Sequence, residues 1–93
     1  MSKDVITGSA RGQVSARLLD LSLGGALLNL GTSLEVGAIH DFSLDLGGAT
    51  VWVQAEVKRC QRSERDPGYL VGVEFLGIDP KDQRLLRQYL DRA

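Results

Sequence analysis

The spacing of glycines between short apolar segments is the feature that most constrains the fold of this chain. Eleven glycines are spread along 93 residues, and they separate apolar segments of only a few residues. Within these segments apolar and polar residues alternate, most regularly over 50–58. A period of two gives a β-strand with one apolar face, and short strands between turns indicate an all-β domain. The predicted strands cover 5–7, 12–19, 26–30, 39–46, 50–58 and 69–75.

The segments between the strands have the composition of turns. A strong two-residue hairpin signal, Gly47-Gly48, joins the fourth and fifth predicted strands. Residues 31–37 and the polar stretch 59–68 are predicted to be loops. The inward faces are predicted to consist of Val14, Ala16, Leu18, Phe42, Leu44, Leu46, Val51, Val53, Ala55, Val57, Tyr69, Val71, Val73 and Phe75.

The period changes near the C-terminus. Asp79 is a suitable helix N-cap, and Pro80 suits the first helical position because its missing N–H is not needed there. An apolar stripe at helical spacing follows, so a helix is predicted over about 80–92. Closure of the sheet would remove exposed strand edges. We therefore expect a small six-stranded antiparallel β-barrel with one C-terminal α-helix. The stripe consists of Leu85, Leu86, Tyr89 and Leu90.

Length and charge limit the classes of function. A chain of 93 residues forms one domain, here 1–93, and its net charge of −1 provides no general attraction for a nucleic acid polymer. No apolar run is long enough for membrane insertion, and the N-terminus lacks the apolar stretch of a signal peptide. A single cysteine, Cys60, excludes an internal disulfide. We therefore expect a cytoplasmic protein.

Three segments, taken in order, resemble the PilZ domain family. They are Asp-Leu-Ser-Leu-Gly-Gly-Ala at 20–26, Tyr-Leu-Val-Gly-Val-Glu-Phe at 69–75, and the predicted helix that follows. The resemblance implies a six-stranded barrel with a C-terminal helix. It also implies a receptor for the second messenger cyclic di-GMP. Such a protein would be a non-enzymatic effector or adaptor that regulates motility, pilus or exopolysaccharide functions through a protein partner.

The turn at 20–25 has two interpretations. By resemblance, Asp20, Ser22 and Gly25 match the family's ligand-binding motif. Asp20 can accept hydrogen bonds from guanine N–H groups, Ser22 can donate or accept, and glycine allows a ligand to approach the backbone closely. Alternatively, the turn is only a structural hairpin, in which the Asp and Ser side chains bond the local backbone and glycine adopts a left-handed conformation.

The other half of the family's site is an Arg-x-x-x-Arg motif upstream of the barrel, and this sequence contains none. The arginines before the turn are Arg11 and Arg17, and Arg17 is predicted to lie within a strand. The chain begins about where the missing motif would end. Either an upstream segment has been removed, or the domain is a degenerate PilZ interaction module that does not bind cyclic di-GMP.

Three arginines at every third position form a candidate basic patch for a phosphate or an acidic partner. They are Arg59, Arg62 and Arg65, in the polar stretch 59–68. The alternative is a solvated loop in which Glu64 and Asp66 neutralise them.

The remaining polar residues point to no catalytic or metal site. One histidine, His40, and one cysteine cannot supply the three or four ligands of a zinc site, and we predict no cofactor. Asp41 and Asp45 share a strand face that we expect to be solvated. Trp52 points away from the apolar face of its strand. We expect it to pack under the C-terminal helix, although exposure as a contact residue is the alternative.

Overall fold

The computed structural model describes the backbone of residues 3–9, 12–46, 48–65 and 67–92, and side chains from residue 16 onward. In this part of the chain there are six strands and one helix. They are β1 (Lys3–Ser9), β2 (Gly12–Leu21), β3 (Gly25–Leu30), β4 (Ile39–Asp45), β5 (Thr50–Arg62), β6 (Tyr69–Ile78) and α1 (Pro80–Arg92).

The strands form a closed antiparallel barrel in the order β1-β2-β3-β6-β5-β4. β1 closes it by pairing with both β2 and β4. This confirms the predicted fold class. It also explains why β1 is longer than the predicted strand at 5–7: Gly8 and Ser9 each have a partner in β2, so the glycine does not end the strand.

Alternation in the sequence corresponds to the two faces of the barrel wall. The apolar residues of β4 and β5 that were predicted to face inward are buried. Tyr69 and Phe75 are half-buried and pack against this core. The inward orientation predicted for Val14 lies outside the described side chains. The buried core consists of Ala16, Leu28, Leu30, Phe42, Leu44, Leu46, Val51, Val53, Ala55, Val57, Val71, Val73 and Leu86.

The helix begins and packs as its sequence predicts. The backbone N–H of Lys81 donates to Asp79 Oδ1 at 2.9 Å, which satisfies one of the free donors of the first turn. Leu86 is fully buried, and Leu85, Tyr89 and Leu90 pack against the core around it. The helix therefore covers the barrel with its apolar stripe.

The loop predicted over 59–68 is wrong in its first half. β5 continues to Arg62, and its last residues pair with β6 from Gly72 back to Tyr69. These residues are polar because one face of the barrel wall is exposed to solvent. Their composition therefore resembles that of a loop although they form a strand. The hairpin predicted at Gly47-Gly48 is confirmed: Leu46 N–H donates to the Ala49 carbonyl at 2.9 Å, and Gly48 has a φ of 103°. Gly47 itself, like Asp66, lies outside the described residues.

Candidate ligand-binding site

The turn at 20–25 is held by its own polar groups. Ser22 N–H donates to the Gly25 carbonyl at 2.9 Å, and Ser22 Oγ donates to the same oxygen at 3.3 Å. Ser22 Oγ also accepts the N–H of Gly24 at 3.3 Å. Asp20 Oδ1 accepts the N–H of Leu21 at 2.9 Å. The side chains of Asp20 and Ser22 therefore shape the turn, as the structural interpretation expects, while both remain exposed.

Gly25 is required here for a different reason from the one expected. Among the described residues, positive φ angles occur only at Gly37, Gly48 and Gly68, so the left-handed conformation predicted for the turn glycine is wrong. Instead, a Cβ on Gly25 would overlap the carbonyl oxygen of Val73 in β6. The turn therefore packs directly on the backbone of β6, and Phe75 N–H donates to the Gly24 carbonyl at 2.9 Å.

A β-bulge at the end of β2 directs Asp20 outward. Leu18 pairs with Leu28 and Asp20 with Leu27, so Leu19 is an extra residue. Strict alternation from the buried Ala16 would have directed Asp20 into the barrel. The bulge exposes Leu19 and Asp20 together and returns Leu21 to the core side.

A second bulge in β5 has the same effect on two cations. Val57 pairs with Val73 and Arg59 with Gly72, so Lys58 is an extra residue. Lys58 and Arg59 are both exposed between the buried Val57 and the half-buried Cys60. A bulge bends the strand and re-aims a side chain, and here it places two adjacent positive charges on the outer face.

The two bulges place Asp20 and Arg59 in one row across four strands. Asp20 pairs with Leu27, Leu27 with Gly72, and Gly72 with Arg59. Neighbouring strands are about 4.8 Å apart, so the backbones of Asp20 and Arg59 are about 14 Å apart across the sheet. A Cβ on Gly72 would lie 3.9 Å from Arg59 Nε, so the arginine side chain lies over the glycine.

These groups line an open pocket of about 450 Å³ on the outer wall, which we call the turn pocket. Its rim is formed by the turn at 20–25, Lys58, Arg59, Gly72 and Glu74. A volume of a few hundred Å³ is within the range of small-molecule sites. The pocket has a carboxylate at one end of the row and a guanidinium at the other, with a floor of Leu27 and Gly72 between them.

Lys58 is held in this pocket by two glutamates. Its Nζ lies 3.3 Å from Glu56 Oε2 and 3.7 Å from Glu74 Oε1. The hydrogen bond and the charge of Glu56, with a further contribution from the charge of Glu74, raise the pKa of Lys58 above its ordinary value. The lysine is therefore charged at neutral pH, but an anionic ligand would compete with these carboxylates for it.

The arrangement suits a ligand that carries both anionic groups and hydrogen-bonding bases. The Arg59 guanidinium can form a forked pair with a phosphate or with the O6 and N7 acceptors of guanine. The Asp20 carboxylate only accepts hydrogen bonds, so it suits N–H donors such as those on the Watson–Crick edge of guanine. Leu27 and Gly72 lie between the two in the row, and the Arg59 side chain lies over Gly72.

The three arginines of the predicted basic patch are divided between two places. Arg59 lines the turn pocket, whereas Arg62 and Arg65 line a second pocket of about 570 Å³ at the β5–β6 hairpin, which we call the tip pocket. Gln61, Ser63, Glu64 and Leu70 complete the tip pocket. Whether these arginines bind an anion or a partner remains a prediction.

Sequence reasoning missed Lys58, Gly72 and Glu74 as neighbours of the turn. Their strands were predicted, but their pairing with it was not. The one available signal was the Lys58-Arg59 pair, where apolar–polar alternation in β5 breaks. Two consecutive charged residues at that point are compatible with a bulge as well as with a strand end, and we predicted the strand end.

The single histidine and the single cysteine of the sequence do not line the turn pocket. His40 is half-buried with its ring 6.0 Å from that of Phe42, and Cys60 is a free thiol. In the part of the chain that the structure describes, no three histidine, cysteine or acidic side chains are grouped as metal ligands would be. Within the same residues, no helix is long and apolar enough to cross a membrane.

Solved structures share this fold. The Bacillus subtilis inhibitor of motility MotI/DgrA superposes with a TM-score of 0.82 and 21% identity, over 99% of this chain and 46% of that one. The PilZ domain of Escherichia coli YcgR with c-di-GMP gives a TM-score of 0.70 and 22% identity, over 92% and 76%. Escherichia coli YcgR in complex with c-di-GMP gives 0.77 and 24%, over 98% and 40%.

This chain therefore spans less than half of the MotI/DgrA chain and of the YcgR chain in the second complex. No curated protein matches its sequence. The family model of the PilZ domain matches residues 3–92, which is nearly the whole chain. Together with the closed barrel and its C-terminal helix, this match shows that the chain belongs to the PilZ domain family.

Proposed function

We propose that this domain binds cyclic di-GMP in the turn pocket and acts as a non-enzymatic effector or adaptor. Through a protein partner it would regulate motility, pilus or exopolysaccharide functions. The observation that carries the proposal is the row from Asp20 through Gly72 to Arg59, in which two bulges direct an acceptor and a forked donor to one outer face.

The chemistry of the row matches the two kinds of group in the ligand. Cyclic di-GMP has two guanines and two phosphates. Asp20 would accept guanine N–H donors, and Arg59 would pair with a phosphate or with the O6 and N7 edge of a guanine. Ser22 would act indirectly, because its hydroxyl already bonds Gly24 and Gly25 and so sets the shape of the turn.

The similar structures support the same ligand. Two of them are YcgR structures with c-di-GMP, and the third is an inhibitor of motility. We place the domain in the cytoplasm, where a free thiol such as Cys60 is stable.

The second candidate function is a PilZ interaction module that does not bind the nucleotide. Two observations favour it: the sequence has no Arg-x-x-x-Arg motif, and the lysine of the turn pocket is already paired with Glu56 and Glu74. Under this hypothesis the domain would bind its protein partner equally well with and without cyclic di-GMP.

Titration calorimetry with cyclic di-GMP, supported by nuclear magnetic resonance shifts, tests the proposal. We expect saturable binding, with shifts concentrated in the turn at 20–25 and around Arg59. Asp20→Ala should weaken binding about tenfold, because it removes a charged acceptor from the row. Asp91→Ala, an exposed carboxylate on α1, is the matched control and should bind as the wild type does.

Absence of both heat and shifts at about millimolar ligand would contradict the nucleotide proposal for this chain and favour the second candidate. Equal weakening by Asp20→Ala and Asp91→Ala would contradict the assignment of the ligand to the turn pocket, because it would indicate a general charge effect.

A further inference from the structure

A second feature of the outer wall is an exposed tryptophan in the part of β5 that pairs with β4. Trp52 has 50% of its surface exposed, so the expectation that it packs under α1 is wrong. Its chain neighbours Val51 and Val53 are buried in the barrel. A large aromatic side chain held on a regular strand, half in solvent, is typical of a contact residue.

Acidic side chains lie on both sides of this tryptophan. Trp52 pairs directly with Ser43 in β4, while Asp41 pairs with Gln54 and Asp45 with Thr50. Asp41 and Asp45 therefore occupy the two diagonal positions from Trp52 on the same face, about 7–8 Å away between Cα atoms. Both side chains are exposed.

These two carboxylates are not neutralised by the rest of the described chain. Within the described residues neither Asp41 nor Asp45 forms an ion pair, whereas Glu56 and Glu74 share Lys58 further along the wall. The chain as a whole is nearly neutral, at −1. Among the described residues, the surface around Trp52 therefore presents two unpaired carboxylates beside an aromatic ring.

We propose that Trp52, Asp41 and Asp45 form a docking surface for an arginine-containing, cationic segment of a partner protein. A guanidinium stacks on an indole and also forms forked hydrogen bonds to a carboxylate. Asp41 and Asp45 are four positions apart in one strand, about 13 Å, so an extended segment can place one arginine at each carboxylate and pack across Trp52 between them.

This surface is separate from the turn pocket and does not depend on the nucleotide proposal. It names the chemistry of a partner that would be recognised whether or not cyclic di-GMP binds. The Asp20→Ala variant should therefore bind a cationic segment as well as the wild type does.

A blocked peptide in which Arg alternates with Gly is a suitable probe, and the same peptide with Gln in place of Arg is its control. Trp52 is the only tryptophan in the sequence, so its fluorescence reports directly on this surface. We expect a saturable fluorescence change with the Arg peptide at about millimolar concentration, and none with the Gln peptide.

The variants are measured by amide chemical shifts, since Trp52→Ala removes the fluorophore. Trp52→Ala and the double variant Asp41→Asn/Asp45→Asn should each weaken binding at least about fivefold. Glu35→Gln/Asp91→Asn changes the net charge equally at exposed positions elsewhere and should have less than about a twofold effect.

Three outcomes would overturn the proposal. The first is no response of Trp52 to the Arg peptide at about millimolar concentration. The second is an equal loss of binding in the Glu35→Gln/Asp91→Asn control. The third is concentration-dependent dimerisation in sedimentation equilibrium that Trp52→Ala abolishes, because it would assign the surface to a second copy of this chain.

Discussion

Two arginine-lined pockets share the strands β5 and β6, and they are built differently. In the turn pocket Arg59 emerges from a bulge, lies over Gly72 and shares a row with Asp20. In the tip pocket Arg62 and Arg65 belong to the end of the β5–β6 hairpin, beside Glu64. The turn pocket has its arginine and its carboxylate at opposite ends of a four-strand sheet, whereas the tip pocket is formed by one local hairpin.

Charge count does not distinguish the two pockets. The tip pocket has two arginines and the turn pocket one arginine and one lysine. What distinguishes the turn pocket is that four strands fix the relative positions of its donor and acceptor. Preorganised groups lose less entropy on binding, so we expect the turn pocket to bind the ligand and the tip pocket to contribute little.

Near each pocket a glycine packs against a backbone carbonyl, and we expect substitution of these two glycines to have the largest effect on stability. A Cβ on Gly25 would overlap the Val73 carbonyl, and one on Gly68 would overlap the Leu30 carbonyl. Gly25→Ala should lower the free energy of unfolding by about 2–3 kcal/mol, measured by urea denaturation. Gly68→Ala should lower it further, because Gly68 also has a φ of 111°. Only Gly25→Ala should also weaken cyclic di-GMP binding by the folded protein.

Gly24→Ala is the internal control for this pair, since nothing lies within 4 Å of a Cβ added there and its φ is not positive. Its stability should stay close to that of the wild type. If Gly68→Ala weakened nucleotide binding as much as Gly25→Ala, the separation between the two pockets would be wrong.

The two arginines of β5 test the comparison directly. Arg59→Ala should weaken cyclic di-GMP binding by about 1–3 kcal/mol, or roughly fivefold to 150-fold, because a forked contact is lost. Arg62→Ala removes the same charge three residues away and should change the affinity by less than about twofold. Calorimetric titrations at one salt concentration measure both, and equal losses would indicate a diffuse electrostatic effect.

The floor of the turn pocket is the next test. Gly72→Val would fill the space over which Arg59 lies, so we expect about tenfold weaker nucleotide binding without loss of stability, because valine suits a strand. Gly77→Val is the matched control. Gly77 lies in β6 like Gly72, but it is next to Gln54 of β5 and outside the pocket. Unchanged affinity in Gly72→Val would show that the ligand does not use this floor.

The smallest expected effect is an increase in the affinity for cyclic di-GMP. Glu74→Gln removes one of the two carboxylates that hold Lys58 and should raise the affinity for cyclic di-GMP about twofold to fivefold. Glu64→Gln changes the same charge at the tip pocket and should leave the affinity unchanged. Weaker binding by Glu74→Gln would mean that Glu74 itself contacts the ligand.

Local patterns were sufficient to predict much of the fold. Alternation in β4, β5 and β6 predicted the buried faces, and the apolar stripe with Asp79 and Pro80 predicted the helix. The predicted end of β5 was wrong because the bulge at Lys58 interrupts the alternation and the residues after it are mostly polar. Arg59 was therefore placed in a loop, although it lies in a strand opposite Gly72.

The sequence by itself determined the identity of the strands, the apolar interior, the helix and the turn that marks a PilZ domain, because these depend on residues close together in the chain. Only the tertiary structure decided that Arg59 faces the same pocket as Asp20. That juxtaposition depends on two bulges and on the order β2-β3-β6-β5, which brings together residues almost forty positions apart. A register shift of one residue reverses the face of every side chain beyond it, and strand pairing fixes that register.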